Sequence, residues 1–564
     1  MFVFLHPLGW RILTAPRFAR FETLSGSRSV YWIAFTAILT IGIYLRFQQI
    51  TIQWLMDDEW HAVHKLIASD GFSSILLSFG QADYSIPLTL LYKLLAQTIG
   101  LSELRMRLPM LLGGTALVVL AILWIRARMG EATSLVFGAL LAISPLLVNY
   151  SRNARPYMLT LLLVSIALWA LARWEQSSRH RYAATYLVCT WVASWLHPIM
   201  APFTLALLLP LYVRRLPHKE TDIVGWSKIA LITVLAMAGI AALILPPLLN
   251  DPVALTQKTG SDLPNLDTLL GVWHIWLGTE SSVVVWIGLA LAGLGLNKVW
   301  SSLPCELAMW SSGLLALILS ILFLQPAWVH NPLTFGRYLL PTLPLLLLMI
   351  SAGIMTLCRN FSSAQVRSVV ATGLFSLFLI GTPYADLLWR PNNFTLHSYH
   401  QFDYRKNHSP VRQSFTPYAT ASPFWHKLAT LPPGSLTIAI AGSPSFESYF
   451  LLDPLYQPVH RQLLVKLQTG GACGPAQPGE AFPWQGVFLR NAVSLAAPQD
   501  IARRGIDLIV LEYWHTDLKS QSLPPEYVAM LDQCKTLLNA RYGSPIYEDA
   551  NLIAFRTRGR SLLR

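Results

Sequence analysis

From residue 30 to residue 385 the apolar residues are gathered into long runs separated by short polar connections. The runs fall at 30–48, 108–125, 132–149, 157–172, 182–196, 198–213, 229–249, 281–296, 305–324, 339–357 and 367–385. A helix rising 1.5 Å per residue needs ~20 apolar residues to cross ~30 Å of hydrocarbon. Backbone amides in lipid must be satisfied within their own segment, so such runs are read as helices. No alternation of period two points to a barrel. The pattern predicts a polytopic α-helical membrane protein with about 11–13 transmembrane helices, the eleven runs above being the basic count.

The apolar stretch 86–100 is the exception. Counted as a crossing, it would place every later basic connection on the side opposite the first. It is read instead as an amphipathic helix along the outer membrane surface, with Lys93 on its polar face. A cytoplasmic N-terminus then puts Arg126/Arg128, Arg173/Arg179/Arg181, Arg214/Arg215/Lys219, Lys298 and Arg359/Arg367 in cytoplasmic connections. The basic tail 1–29, with Arg11, Arg17, Arg20 and Arg28, precedes a retained helix rather than a cleaved leader. The first outer loop becomes 49–107, and a second outer segment, 250–280, carries Trp273, His274 and Trp276 in the interfacial belt.

The character of the chain changes after the transmembrane unit 30–388. A linker, 389–425, is rich in Asn, His, Ser, Pro and Tyr. Strand-like runs at 435–442, 506–514 and 551–557, with a helix-like piece at 524–540, predict a small extracytoplasmic α/β domain over 426–564. Composition agrees: 54% of residues are hydrophobic and 13% charged, against about 25% charged in soluble proteins. The net charge of +13 sits largely at helix ends. That distribution fits topology signalling and anionic lipid headgroups, and excludes nucleic acid as the partner it implies. Cys189, Cys305 and Cys358 fall in or beside apolar runs as packing residues, while Cys473 and Cys534 would pair if their domain faces an oxidising compartment.

Three polar clusters converge on the outer face. The first is Asp57, Asp58 and Glu59, followed by His61, His64 and Lys65. Such a group suits a solvated helix start, where acids complement the dipole. It equally suits a carboxylate base or a divalent-metal site with His61 and His64 as ligands, although no fixed ligand spacing is met. The second cluster is Tyr150, Arg152, Arg155 and Tyr157, and the third is Arg337, Tyr338 and Pro341. Arginines at these depths can snorkel, or hold a lipid phosphate through their planar fork.

These residues resemble the C-type membrane glycosyltransferases that use polyprenyl-phosphate sugars, especially bacterial relatives of protein O-mannosyltransferases and lipid A aminoarabinose transferases. The resemblance rests on Asp58-Glu59, Pro87-Leu88, Glu103 with Arg107-Leu108-Pro109, the stretch 152–157, and Arg337-Tyr338 with Pro341, over residues 30–360. Relatives often carry His-Pro-Pro where this chain has Ser85-Ile86-Pro87, and some carry a second acid where it has Arg152 and Arg155.

The resemblance implies the C-type glycosyltransferase fold and a multi-pass protein of a bacterial inner membrane. Its donor would be a polyprenyl-phosphate-linked sugar, and its acceptor a lipid, glycan or protein hydroxyl on the extracytoplasmic face. Asp58 is the implied general base, with Asp57 or Glu59 positioning the acceptor or sugar. Arg155 and Arg337, with Arg107, would meet the leaving phosphate, while Arg152, Tyr157, Tyr338 and Lys93 complete the substrate-binding set. No organic cofactor is called for, and a divalent metal remains open. The competing expectation is a transporter or flippase of lipid-linked saccharides, against which stand the lack of repeat symmetry and of broken midplane helices.

Overall fold

The computed structural model describes residues 28–47, 50, 59, 71–80, 85–99, 103–216, 223–256, 259–260, 262–279, 281–359 and isolated positions from 361 to 376. In the terminal domain it describes 422–432, 435–441, 460, 462–467, 505–512, 525–549 and 552–557. Asp57, Asp58, His61, His64, Cys473, most of the run 367–385 and nearly all of the linker lie outside the described residues.

The bundle begins with α1 (Arg28–Phe47), followed by the short α2 (Phe72–Leu76) and α3 (Ile86–Thr98). At 13 residues α3 is too short to cross a bilayer. Then come α4 (Glu103–Met129), α5 (Glu131–Ile143), α6 (Pro145–Ser151), α7 (Tyr157–Ser177), α8 (His180–Leu196), α9 (Met200–Ala206) and α10 (Leu209–Arg215). The unit continues with α11 (Ile223–Asn250), α12 (Pro252–Thr256), α13 (Leu266–Leu277), α14 (Ser282–Ser302), α15 (Pro304–Leu324), α16 (Pro332–Tyr338) and α17 (Leu343–Arg359).

Among the described residues seven helices are long and apolar enough to span a membrane, and the bent pair α5–α6 makes an eighth. The predicted runs 182–196 and 198–213 take another form. The first is the 17-residue α8 and the second is broken into α9 and α10. Packing on α7, α11 and α15 surrounds these shorter pieces with protein, the setting in which lipid tolerates interrupted helices.

One end of the bundle is knitted by ion pairs. Arg126 pairs with Glu131 at 2.6 Å, Arg128 reaches Glu306 at 3.4 Å, and Arg214 and Arg215 hold Glu175 at 3.3 and 2.9 Å. Among the described residues, the connections that carry Arg126/Arg128 and Arg214/Arg215 therefore share one end. Inside the bundle α14 and α17 approach backbone to backbone, because a Cβ on Gly295 would collide with the Met349 carbonyl and one on Gly353 with that of Leu291. By contrast α11 displays Leu231, Val234, Met237 and Leu249 outward, as a lipid-facing helix does.

Two buried arginines lock the opposite end. The chain bends by 59° between α5 and α6. Pro145 has no N–H, so the carbonyl four residues earlier, on Leu141, loses its helical donor. Arg46 supplies the replacement, donating to Leu141 and Ala142 carbonyls at 3.3 and 2.9 Å and to Ser151 Oγ at 3.1 Å. In return Arg152 donates to the carbonyls of Leu45 and Arg46 at 3.2 and 3.1 Å, where α1 ends. Each arginine caps the helix end that carries or precedes the other.

The terminal domain opens with α18 (Pro423–Ala429), followed by β1 (Thr437–Ala441), β2 (Leu463–Leu467), β3 (Leu508–Glu512), α19 (Pro525–Tyr542), β4 (Tyr547–Glu548) and β5 (Leu552–Arg556). The sheet order is β2-β1-β3-β5-β4, with β2, β1 and β3 parallel and β5 antiparallel to β3 and to β4. Phe424 and Trp425, at the end of the predicted linker, are buried in its core with Leu428, Ile438, Val510 and Ala554. Cys534 is disulfide-bonded, whereas Cys189, Cys305 and Cys358 are free.

His460 stacks on Trp425 with ring centroids 4.9 Å apart. Burial pushes its pKa down from 6.5 to about 3. The unfolded chain therefore binds a proton that the folded domain refuses once pH falls below 6.5. Stability is whole above that pH and is lost toward pH 3 at up to about 1.4 kcal/mol per unit. Hydrogen exchange in β1 and β2 of the full-length protein, corrected for intrinsic rates, should quicken about tenfold or more from pH 7.5 to pH 5. His460→Phe should flatten that dependence.

Candidate active site

The arginine-capped end carries the site. Its centre is the turn 152–156 between α6 and α7, held from three directions. Glu59 Oε1 accepts from the Ala154 N–H at 2.6 Å. The Ala154 carbonyl accepts from the Tyr92 hydroxyl of α3 at 3.2 Å, a proton shared with the Met106 carbonyl of α4 at 3.1 Å. Arg107, near the start of α4, grips Glu59 with two parallel bonds, Nε to Oε1 at 2.9 Å and Nη2 to Oε2 at 2.8 Å. Both side chains are fully buried. Such a pair costs much to desolvate and persists because the fork geometry and the extra amide donor compensate both charges.

Beside this pair lies a second group of side chains. The Tyr157 ring, at the first residue of α7, has the Arg155 guanidinium carbon 6.0 Å and the Arg337 guanidinium carbon 5.7 Å from its centroid. Arg337 also stands 5.8 Å from the ring of Tyr338. Tyr150 packs against Tyr157 at 4.8 Å. His197, in the turn between α8 and α9, sits 5.5 Å from Tyr157 and 6.0 Å from Tyr338, edge-on to the latter. Burial first, then the charges of Arg155 and Arg337, push the His197 pKa down to about 3 and keep the ring neutral.

Arg337 is positioned through α16. Asn331 caps that helix by accepting from the Leu333 N–H at 2.9 Å. Trp276 of α13 donates to the Gly336 carbonyl at 3.2 Å, while Thr268 donates to the His330 carbonyl. A Cβ on Gly336 would press on Val272 and Trp276 at 3.1 and 3.3 Å, so a glycine lets α13 lie close. The outer segment predicted as an interfacial belt is thus the brace of an arginine.

Of the residues expected from the sequence, Arg155, Tyr157, Arg337 and Tyr338 meet directly. Glu59 and Arg107 form the adjacent buried pair, with Glu59 accepting from Arg107 and Ala154. Arg152 donates to the end of α1 and lies within electrostatic reach of Arg107 and Glu59, and Lys93 is half-buried on α3 next to Tyr92. Asp57, Asp58, His61 and His64 lie outside the described residues, and among the described ones no group of three His, Cys, Asp or Glu could hold a metal. Sequence reasoning missed Arg46, Tyr92 and His197. Only His197 left a signal, as a polar residue before Pro198 where two apolar runs meet.

Chemically, two guanidiniums around an aromatic patch offer charge and planar donors to a phosphate, with ring faces for an apolar or sugar surface. The supporting pair has a direct stability test. Glu59→Ala removes the counter-charge of buried Arg107 and is expected to cost about 3–5 kcal/mol in thermal or chemical unfolding of the detergent-solubilised protein. Tyr92→Phe should cost about 1 kcal/mol. Combining Glu59→Leu with Arg107→Met should restore most of the loss seen with Glu59→Leu alone.

The sequence matches no protein-family model and no curated protein. The structure is similar to that of ArnT from Cupriavidus metallidurans in the apo state, with a TM-score of 0.54 and 12% identity, over 94% of this chain and 99% of that one. It is also similar to ArnT from the same organism bound to undecaprenyl phosphate, with a TM-score of 0.52 and 14% identity over the same shares. At such identity the likeness is one of fold, and its coverage takes in the bundle and the terminal domain. The chain has the C-type membrane glycosyltransferase fold.

Proposed function

We propose that the protein moves a sugar from a polyprenyl-phosphate donor to an acceptor hydroxyl at the extracytoplasmic face of the membrane. The observation that carries this reading is the meeting of Arg155 and Arg337 around Tyr157, with Arg155 next in the chain to Ala154, which Glu59 binds. Asp58, the proposed base, directly precedes Glu59 in the sequence. Undecaprenyl phosphate bound to ArnT, a protein of the same fold, supports a lipid phosphate as the anion. Extracytoplasmic placement is supported by the basic connections at the opposite end and by the disulfide at Cys534.

In this reading Asp58 takes the proton of the acceptor hydroxyl as its oxygen attacks the anomeric carbon. The bond from that carbon to the phosphate oxygen breaks, and the oxygen leaves with the bonding pair. Arg155 and Arg337 stabilise the charge that develops there. A single displacement inverts the anomeric centre. Glu59 and Arg107 hold the turn that carries Arg155, and the acceptor is a lipid, glycan or protein hydroxyl.

Purified protein given labelled polyprenyl-phosphate sugars and candidate acceptors should release free lipid phosphate. Asp58→Asn should lower kcat ~10²–10⁴-fold with donor binding kept, whereas Arg155→Ala and Arg337→Ala should weaken donor binding as well. Full transfer by folded Asp58→Asn, or movement of intact lipid across vesicles without phosphate release, would contradict the proposal.

A further inference from the structure

Resting on the reading above, we infer that His197 is a sugar-reading residue, whose Nδ1 forms a hydrogen bond with a hydroxyl of the donor's sugar. Its place in the fold is specific. The imidazole closes the turn between α8 and α9 and is packed against the rings of Tyr157 and Tyr338, the two aromatics that also border Arg337. The residue is 8% exposed, and among the described residues Nδ1 has no hydrogen-bond partner. Leaving a polar atom buried and unpaired costs free energy, so Nδ1 calls for a hydrogen-bonding partner beyond its described neighbours.

The chemistry of the neighbours selects the ligand group. Arg155 and Arg337 bring only donors, which is what phosphate oxygens require. A further donor at His197 would be redundant for the phosphate, and a positively charged one would stand beside two guanidiniums. The neutral ring offers one N–H and one lone pair. A hydroxyl both donates and accepts, so it satisfies Nδ1 in either tautomer, whereas a phosphate oxygen satisfies only one of them. The flanking tyrosine rings give the C–H faces of a sugar an apolar wall on each side. Phosphate recognition is thus assigned to the arginines and sugar recognition to the imidazole, within one cluster.

This division is measurable by binding, without turnover. Affinities of the full-length protein in nanodiscs are compared for undecaprenyl phosphate and for the same lipid carrying mannose, glucose or galactose. The wild-type protein should bind at least one sugar-bearing lipid about tenfold more tightly than the bare lipid phosphate. His197→Phe, which keeps an aromatic ring but no ring nitrogen, should bring that preference to within about twofold while leaving affinity for the bare lipid unchanged. His197→Gln, which retains a polar group, should keep part of the preference. Equal melting temperatures would establish that the variants fold. A preference that survives His197→Phe, or an equal loss of affinity for bare and sugar-bearing lipid, overturns the assignment. A wild-type protein that binds none of these lipids sinks the donor reading itself, whereas one that binds them all alike sinks only the role of His197.

Discussion

The buried pair of Glu59 and Arg107 is the constraint on which this end of the protein depends. A carboxylate with both oxygens engaged and no exposure is poorly suited to taking protons, and well suited to holding backbone. It fixes the N–H of Ala154, while Tyr92 fixes the carbonyl of the same residue. With both polar groups of one peptide residue bound to buried side chains, the following residue, Arg155, projects from a turn with little freedom. Pre-organisation of this kind lets a guanidinium stabilise developing charge without reorganising as it appears. Glu59, α3 and the turn 152–156 thereby become one unit, although they are far apart in sequence.

Around that unit the same solution is used repeatedly. Arg46 repairs the break that Pro145 makes, and Arg152 covers the carbonyls at which α1 stops. Trp276 and Asn331 hold the short helix that ends with Arg337 and Tyr338. Interrupted helices are costly beside lipid, yet here each interruption is met by a side chain that supplies the missing donor or acceptor. The reward is an irregular backbone at one end of a regular bundle, which is where differently directed polar groups can be gathered around one ring, that of Tyr157.

Much of this was legible in the sequence. Hydropathy located the long helices α1, α4, α7, α11, α14 and α15, because twenty consecutive apolar residues admit few other readings. Charge at the connections separated α3 from the spans, and the structure gives it 13 residues. Arg155, Tyr157, Arg337 and Tyr338 stood out as polar groups at helix ends, and they meet. Tertiary partners were not legible. Nothing in the sequence distinguishes Arg152, which caps α1, from Arg155, three residues on and beside Tyr157. Glu59 likewise could not be told from Asp57 as the acid that would position acceptor or sugar, whereas its carboxylate is bonded to Arg107 and Ala154. The strand β2 was missed because Leu463–Leu467 is too short a run for periodicity to separate strand from helix.

The central claim is that one lipid phosphate is held between Arg155 and Arg337. A structure of the full-length protein with bound polyprenyl-phosphate sugar tests it most directly. The phosphate oxygens should lie at hydrogen-bonding distance, ~2.7–3.0 Å, from both guanidiniums, with the sugar turned toward the loop that carries Asp58. A phosphate bound elsewhere in the bundle, with neither arginine in contact with it, would contradict the account.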